Sequence, residues 1–130
     1  MQKLTALVLF ALAAISIAIL VSGASCSEWV LPGGLPLGNV LAAISFCSLA
    51  ALAYSLSPVG SVRRRISQAV LMVTVLWLPI SIALAGNLEL NFSGIRGTAW
   101  LVFSAVIAIA VLGSLALAIA GALLGQSSAA

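Results

Sequence analysis

Four long, unbroken runs of apolar residues restrict what this chain can fold into more than any other feature. Each has roughly the 20 residues that a helix needs to cross about 30 Å of hydrocarbon. Because lipid leaves no water to satisfy exposed backbone groups, all four runs are predicted to be helical. They cover approximately residues 4–22, 39–56, 66–85 and 98–124.

The composition favours the same environment. The chain has 130 residues, of which 64% are hydrophobic and 5% are charged, whereas about a quarter of the residues in soluble domains are charged. We therefore predict an all-α integral membrane protein. Residues 1–130 form a single transmembrane domain, a four-transmembrane-helix bundle built from two helical hairpins. Turn-forming residues such as Pro32, Gly33, Gly34 and Pro36 separate the first two spans.

The basic residues predict the orientation. Lys3, Arg63, Arg64 and Arg65 lie on one side of a four-span bundle, and Arg96 alone lies on the other. Because basic residues collect on the cytoplasmic side, both termini are predicted to be cytoplasmic. The compact loops and short tails favour a bacterial plasma (inner) membrane.

Aromatic residues agree with this orientation. Trp29 and Trp100 are predicted at the outer interface and Tyr54 near the inner one, where amphipathic rings sit at headgroup level. The outer loop at residues 29–37 is apolar. It is expected to lie along the membrane interface, or under the extracytoplasmic domain of a partner.

The N-terminal segment has a second interpretation. A charge at Lys3, an apolar run and the small residues Ser22, Gly23 and Ala24 resemble a secretory signal peptide, and the residues before Cys26 faintly resemble a lipoprotein cleavage site. The apolar run is longer than the usual signal core of about 7–15 residues. An uncleaved first helix is therefore the expectation.

Small residues recur at helical spacing in three of the spans, which lets helix backbones approach closely in lipid. The stripe in the fourth span favours packing within the bundle, with docking on another subunit as the alternative. This predicted helix-packing or partner face consists of Ala110, Ser114, Ala118, Gly121, Ala122 and Gly125. The stripe in the first span is Ala11, Ala14, Ala18 and Ser22, and that in the second is Asn39, Ala43, Cys47, Ala51 and Ser55.

Two other features have a structural and a functional interpretation. Arg63, Arg64 and Arg65 are a topology signal, with binding to anionic lipid headgroups or to an acidic partner as the alternative. Pro79 predicts a kink in the third span. Trp77 beside it is expected to be a packed core aromatic, although such a ring can also stack on a lipid, quinone or pigment.

The sequence carries few groups that support chemistry. It contains five basic and two acidic residues and no histidine, and every charged residue is predicted in a loop or at a terminus. Glu28 and Glu89 lie in predicted outer loops without supporting catalytic groups, and Cys26 and Cys47 form no metal-binding pair. We predict no enzyme activity, no metal, no cofactor and no nucleic-acid partner.

Three functions remain open. The first is a small non-enzymatic accessory or scaffolding subunit of a larger membrane protein complex, acting through helix–helix packing. Its partners would be membrane lipids and other membrane subunits or a second copy of itself. The first alternative is a small homo-oligomeric transporter or channel for a neutral or lipophilic solute. The second is a membrane-organising protein that binds lipid, quinone or pigment.

Overall fold

A computed structural model describes residues 2–32, 34–85 and 94–127, and within these ranges most residues are helical. Taking α3 and α4 together, the described chain has four helices that are long and apolar enough to cross a membrane, as predicted. The helices are α1 (Gln2–Val21), α2 (Leu37–Leu56), α3 (Val62–Val75), α4 (Trp77–Ala85) and α5 (Gly94–Ser127).

The bundle has two ends that differ in character. We call the end where α1 stops and α2 starts the hairpin end, because a short β-hairpin lies there. The opposite end, where α2 stops and α3 starts, is the arginine end. α5 runs from the hairpin end to the arginine end, since Gly121 near its C-terminus lies against Arg63.

α1 is the least buried of the helices and packs mainly on α2. Ala13 and Ser16 are its buried residues, with Leu9 and Leu20 half-buried one turn further in each direction. This spacing of three and four residues keeps one face on a neighbouring helix. The predicted stripe of small residues lies on another face, since Ala11, Ala14, Ala18 and Ser22 are all exposed.

The connection at the hairpin end is more structured than the predicted loop. A 3-10 helix (Ser25–Glu28) is followed by strands β1 (Val30–Leu31) and β2 (Leu35–Pro36), which pair antiparallel. Gly34 has a positive φ of 79° in the turn between them, a conformation that a glycine adopts without steric cost. The 3-10 helix packs on the start of α2, because a Cβ added at Gly38 would lie 3.1 Å from the backbone oxygen of Ser27.

α2 is the central helix and contacts α1, α3 and α5. Four of its five buried residues are alanine or serine and the fifth is Leu52, and small side chains bring neighbouring helices close. The hydroxyls of Ser45 and Ser57 donate to the backbone oxygens of Leu41 and Ala53, each at 2.8 Å. Buried serines are tolerated here because each satisfies its own hydroxyl within the helix.

The third span begins earlier than predicted. Helix α3 starts at Val62, so Arg63, Arg64 and Arg65 lie in its first turn, and the expectation that all charges fall in loops is wrong for them. The Ser61 hydroxyl explains this start, because it accepts a hydrogen bond from the backbone N–H of Arg64 at 3.1 Å. Helical geometry breaks at Leu76, between α3 and α4. Pro79, as expected, is the cause, since it has no N–H to donate to the carbonyl three to four residues earlier.

α5 is longer than predicted, with 34 residues, or about 51 Å at 1.5 Å per residue. That exceeds the roughly 30 Å of bilayer hydrocarbon. The helix continues without interruption through Gly113. Arg96, which was predicted in a loop, lies in the first turn of α5 and is exposed, so that prediction is wrong for it as well; Glu89 falls outside the described residues.

Candidate functional site

Two hydrogen bonds between indole and hydroxyl groups join α4 to α5 in the half of the bundle nearer the hairpin end. The Nε1–H of Trp77 donates to the Oγ of Ser104 at 3.0 Å, and the Nε1–H of Trp100 donates to the Oγ of Ser81. Each helix thus supplies one donor and one acceptor. An indole N–H in an apolar interior needs an acceptor, so the two serines determine where both rings lie.

Phe46 of α2 joins the same group of rings. Its ring meets Trp77 edge-on, with centroids 5.3 Å apart and planes at 78°. Trp77 is only 3% exposed, so it is a packed core aromatic, as predicted. Towards the arginine end, Ala50, Ile107 and Val111 complete the core. We call Phe46, Trp77 and Trp100 the aromatic cluster.

A partly open cavity of about 980 Å³ lies between the aromatic cluster, the first half of α2, the 3-10 helix and the β-hairpin. It follows α2 from Gly38 to Phe46, which is about 12 Å along the helix axis. Its volume is near the upper end of the roughly 300–1,000 Å³ typical of small-molecule sites. Residues of its lining include Glu28, Asn39, Ala42, Phe46, Trp100 and Ser104.

Asn39 lines this mainly apolar cavity with an amide whose nitrogen has no hydrogen-bond partner. Its Nδ2 is buried and has no hydrogen-bond partner. A buried donor without a partner costs about 1–3 kcal/mol, and such groups call for a specific explanation. The other polar groups of the lining are engaged or exposed: the Ser27 hydroxyl donates to the Ala24 oxygen at 2.8 Å, and Glu28 is exposed to solvent.

The two tryptophans predicted at the outer interface have different environments. Trp29 is 66% exposed on the hairpin, as an interfacial anchor would be. Trp100 is only partly exposed, lines the cavity and is bonded to Ser81. Its polar N–H therefore serves the packing of α4 on α5.

The three arginines are not equivalent. The guanidinium of Arg64 lies 4.0 Å from the centroid of the Tyr54 ring and donates to the backbone oxygen of Ser57 at 3.2 Å. Arg63 reaches across to α5, where a Cβ added at Gly121 would overlap its guanidinium. Arg65 is exposed. Two of the three side chains thus tie α3 to its neighbours, and the headgroup role stays a prediction.

The predicted partner face of α5 is divided between the interior and the surface. Ser114 and Ala118 are buried and Gly121 is covered by Arg63, so packing within the chain accounts for these three. Ala110 is half-buried and Ala122 is exposed, whereas for Gly125 the structure describes the helical backbone but not the burial. The division follows from geometry, because a strict four-residue spacing drifts about 40° around a helix at each step.

Comparison with protein-family models, with curated proteins and with solved structures found no match to this chain. Within the part of the chain that the structure describes, no three His, Cys, Asp or Glu residues lie close enough to hold a metal ion. The candidate site therefore rests on the geometry of the cavity itself.

Sequence reasoning missed the main polar residues of this site. Asn39 was interpreted as part of a packing stripe, and Ser81 and Ser104 were assigned no role. An amide in the first turn of an apolar helix was a signal for Asn39. Nothing in the sequence indicated that Ser81 and Ser104 would accept hydrogen bonds from two indoles, because the pairs join different helices.

Proposed function

We propose that this chain is an integral membrane protein with four spans, placed in a bacterial plasma membrane with both termini in the cytoplasm. The large apolar side chains around the bundle support insertion, since Leu7, Met72 and Ile109 are all exposed and lipid is the solvent that suits them. The arginine end carries Lys3 and three arginines, which supports its assignment to the cytoplasm.

Reporter fusions test the orientation. A fluorescent protein that folds only in the cytoplasm should be bright at either terminus, and alkaline phosphatase inserted after Val59 should be inactive. Replacement of Arg63, Arg64 and Arg65 by alanine should weaken this preference. Dark fluorescent protein at both termini, together with active phosphatase after Val59, would contradict the proposal.

For its role in the membrane, we propose a non-enzymatic accessory subunit that binds a partner through helix packing. The uncovered face of α1 carries this proposal. Ala11, Ala14 and Ala18 are exposed along that face, and α1 itself packs mainly on α2. Small residues let a further helix approach closely, whereas large apolar residues are equally well solvated by lipid.

The test is purification from the native membrane in mild detergent, followed by native gels and mass spectrometry of companions. We expect a stoichiometric membrane partner with the native chain and its loss in an Ala14→Leu, Ala18→Leu double variant. Ala69→Leu with Ala83→Leu is the matched control, because both alanines are exposed on α3 and α4. A chain that purifies alone, or a partner kept by the α1 variant, argues against the proposal.

The transport alternative has less support. The cavity ends at the aromatic cluster, and Ala50, Ile107 and Val111 pack beyond it. A path through the membrane would therefore require a second copy or a rearranged core. Uptake of a neutral solute into proteoliposomes would restore this alternative.

A further inference from the structure

We propose that the cavity at the hairpin end binds one uncharged lipid whose polar end carries a carbonyl oxygen, such as a glycerol ester or a quinone. The inference goes beyond the packing role of the chain. It rests on three features of the same cavity, namely its volume and shape, its unpaired donor and its charge.

The shape suits an elongated apolar molecule. The cavity starts beneath the hairpin and extends about two turns down α2 to Phe46, where the aromatic cluster closes it. Ala42 leaves room along this wall, because it has only a methyl group. A lipid lying there would place its polar end at the hairpin end and its chain against Phe46 and Trp100, in the order in which a bilayer arranges these groups.

The polar end is recognised by Asn39. Its Nδ2 is covered by the protein and lacks a hydrogen-bond partner there, while Asn39 itself lines the cavity. A turn of the amide about the Cβ–Cγ bond presents the N–H to the cavity, where a carbonyl oxygen supplies the missing acceptor. A hydrogen bond formed in an apolar cavity is stronger than one in water. The lipid would therefore be held by one directed contact and by apolar packing.

The charge of the cavity disfavours an anionic lipid. Glu28 is in its lining, and among the described lining residues there is neither lysine nor arginine. A phosphate would approach the Glu28 carboxylate without a cation to compensate it. The three arginines that suit anionic headgroups lie at the opposite end of the bundle.

Fluorescence quenching provides the test on the full chain in mild detergent. Trp29→Phe is the parent variant, because it leaves Trp77 and Trp100 as the remaining indoles of the three. The probes are a diacylglycerol with brominated acyl chains, a quinone lipid and a brominated phosphatidate with the same chains. Bromine and quinone both quench indole fluorescence at short range.

We expect saturable quenching by the diacylglycerol, the quinone or both, and whichever binds more tightly identifies the source of the carbonyl. Asn39→Ala should weaken that binding roughly tenfold, as the loss of one buried hydrogen bond predicts. Ala42→Phe should abolish saturation by filling the cavity, whereas Ala69→Leu on the exposed face of α3 should leave it unchanged. Quenching that rises linearly without saturation, or phosphatidate binding as tightly as the neutral probes, overturns the proposal.

Thermal unfolding distinguishes a ligand-binding Asn39 from a structural one. Replacing an unpaired buried donor by an apolar group is neutral or stabilising, so Asn39→Leu should keep or raise the Tm of the lipid-free protein. Added neutral lipid should raise the Tm of the parent more than that of Asn39→Leu. A ligand stabilises the folded state more when it binds more tightly, and Asn39→Leu lacks the hydrogen bond to the ligand. A lower Tm for lipid-free Asn39→Leu would show a structural role and contradict the inference.

Discussion

At the arginine end the helices meet through alanine, serine and glycine, whereas at the hairpin end they meet through tryptophan and phenylalanine. Ala53, Ser57 and Ser67 at the arginine end are almost completely buried, and Gly121 is covered by Arg63. At the hairpin end the aromatic cluster and the β-hairpin surround a cavity of about 980 Å³. Small side chains let the backbones of neighbouring helices approach closely, which leaves no room for a ligand between them. Large rings and a folded connection hold the helices apart, and this is where the chain has room for a ligand.

The largest effect should come from the aromatic cluster. Trp77→Ala removes the contact with Phe46 and the hydrogen bond to Ser104, and should lower the free energy of unfolding by about 3–5 kcal/mol. Trp29→Ala is the control, because Trp29 is exposed on the hairpin. Denaturant unfolding in detergent micelles measures both. Similar losses for the two variants would mean that the cluster does not hold α4 on α5.

Adding the same side-chain volume at each end of the bundle tests the difference in packing directly. Ala53→Leu overfills the closely packed end and should destabilise by about 1–3 kcal/mol. Ala42→Leu places the same side chain in the cavity lining and should cost much less. The midpoint of thermal unfolding ranks the two variants. If Ala42→Leu is the more damaging, the cavity is not free space in the folded protein.

At the arginine end, Arg64 and Arg65 can be compared without any change of charge. Arg64→Lys loses the planar contact with Tyr54 and the geometry of the hydrogen bond to Ser57, at a cost of about 0.5–1 kcal/mol. Arg65→Lys should be close to neutral, because Arg65 is exposed. Thermal unfolding at matched salt measures the difference. Equal midpoints would indicate that Arg64 is as free as its neighbour.

The smallest effect concerns two glycines of α5. Gly113→Ala enters open space and should stabilise the helix by about 0.5–1 kcal/mol. Gly121→Ala should gain less, because the added methyl group must displace the Arg63 guanidinium. A Gly121→Ala, Arg63→Ala double variant should recover the gain in the same unfolding assay. If the double variant does not recover the gain in stability, the Arg63 side chain is not what limits substitution at Gly121.

The positions of the four spans followed from the sequence with errors of a few residues, because long apolar runs and the backbone's need for hydrogen bonds in lipid act locally. The structure moved the start of the third span to Val62, because the Ser61 cap sets that boundary. The break near Pro79 was also predictable, since a missing N–H is a property of the residue itself.

The faces that these helices turn towards one another were not predictable in the same way. The stripe of Ala11, Ala14 and Ala18 was read as a packing face, yet α1 turns Ala13 and Ser16 inwards. In a segment that is apolar all round, hydropathy does not distinguish lipid from a neighbouring helix, so no periodic signal marks the buried side.

The sequence by itself determined the position and helical nature of the four long apolar stretches that the structure describes, because each depends on residues adjacent in the chain. Only the tertiary structure decided that Trp77 meets Ser104, that Arg63 covers Gly121, and that Asn39 lines a cavity while its Nδ2 lacks a hydrogen-bond partner. These relations join residues far apart in the chain. They depend on how closely helices approach, which is set by the shapes of side chains on both surfaces at once.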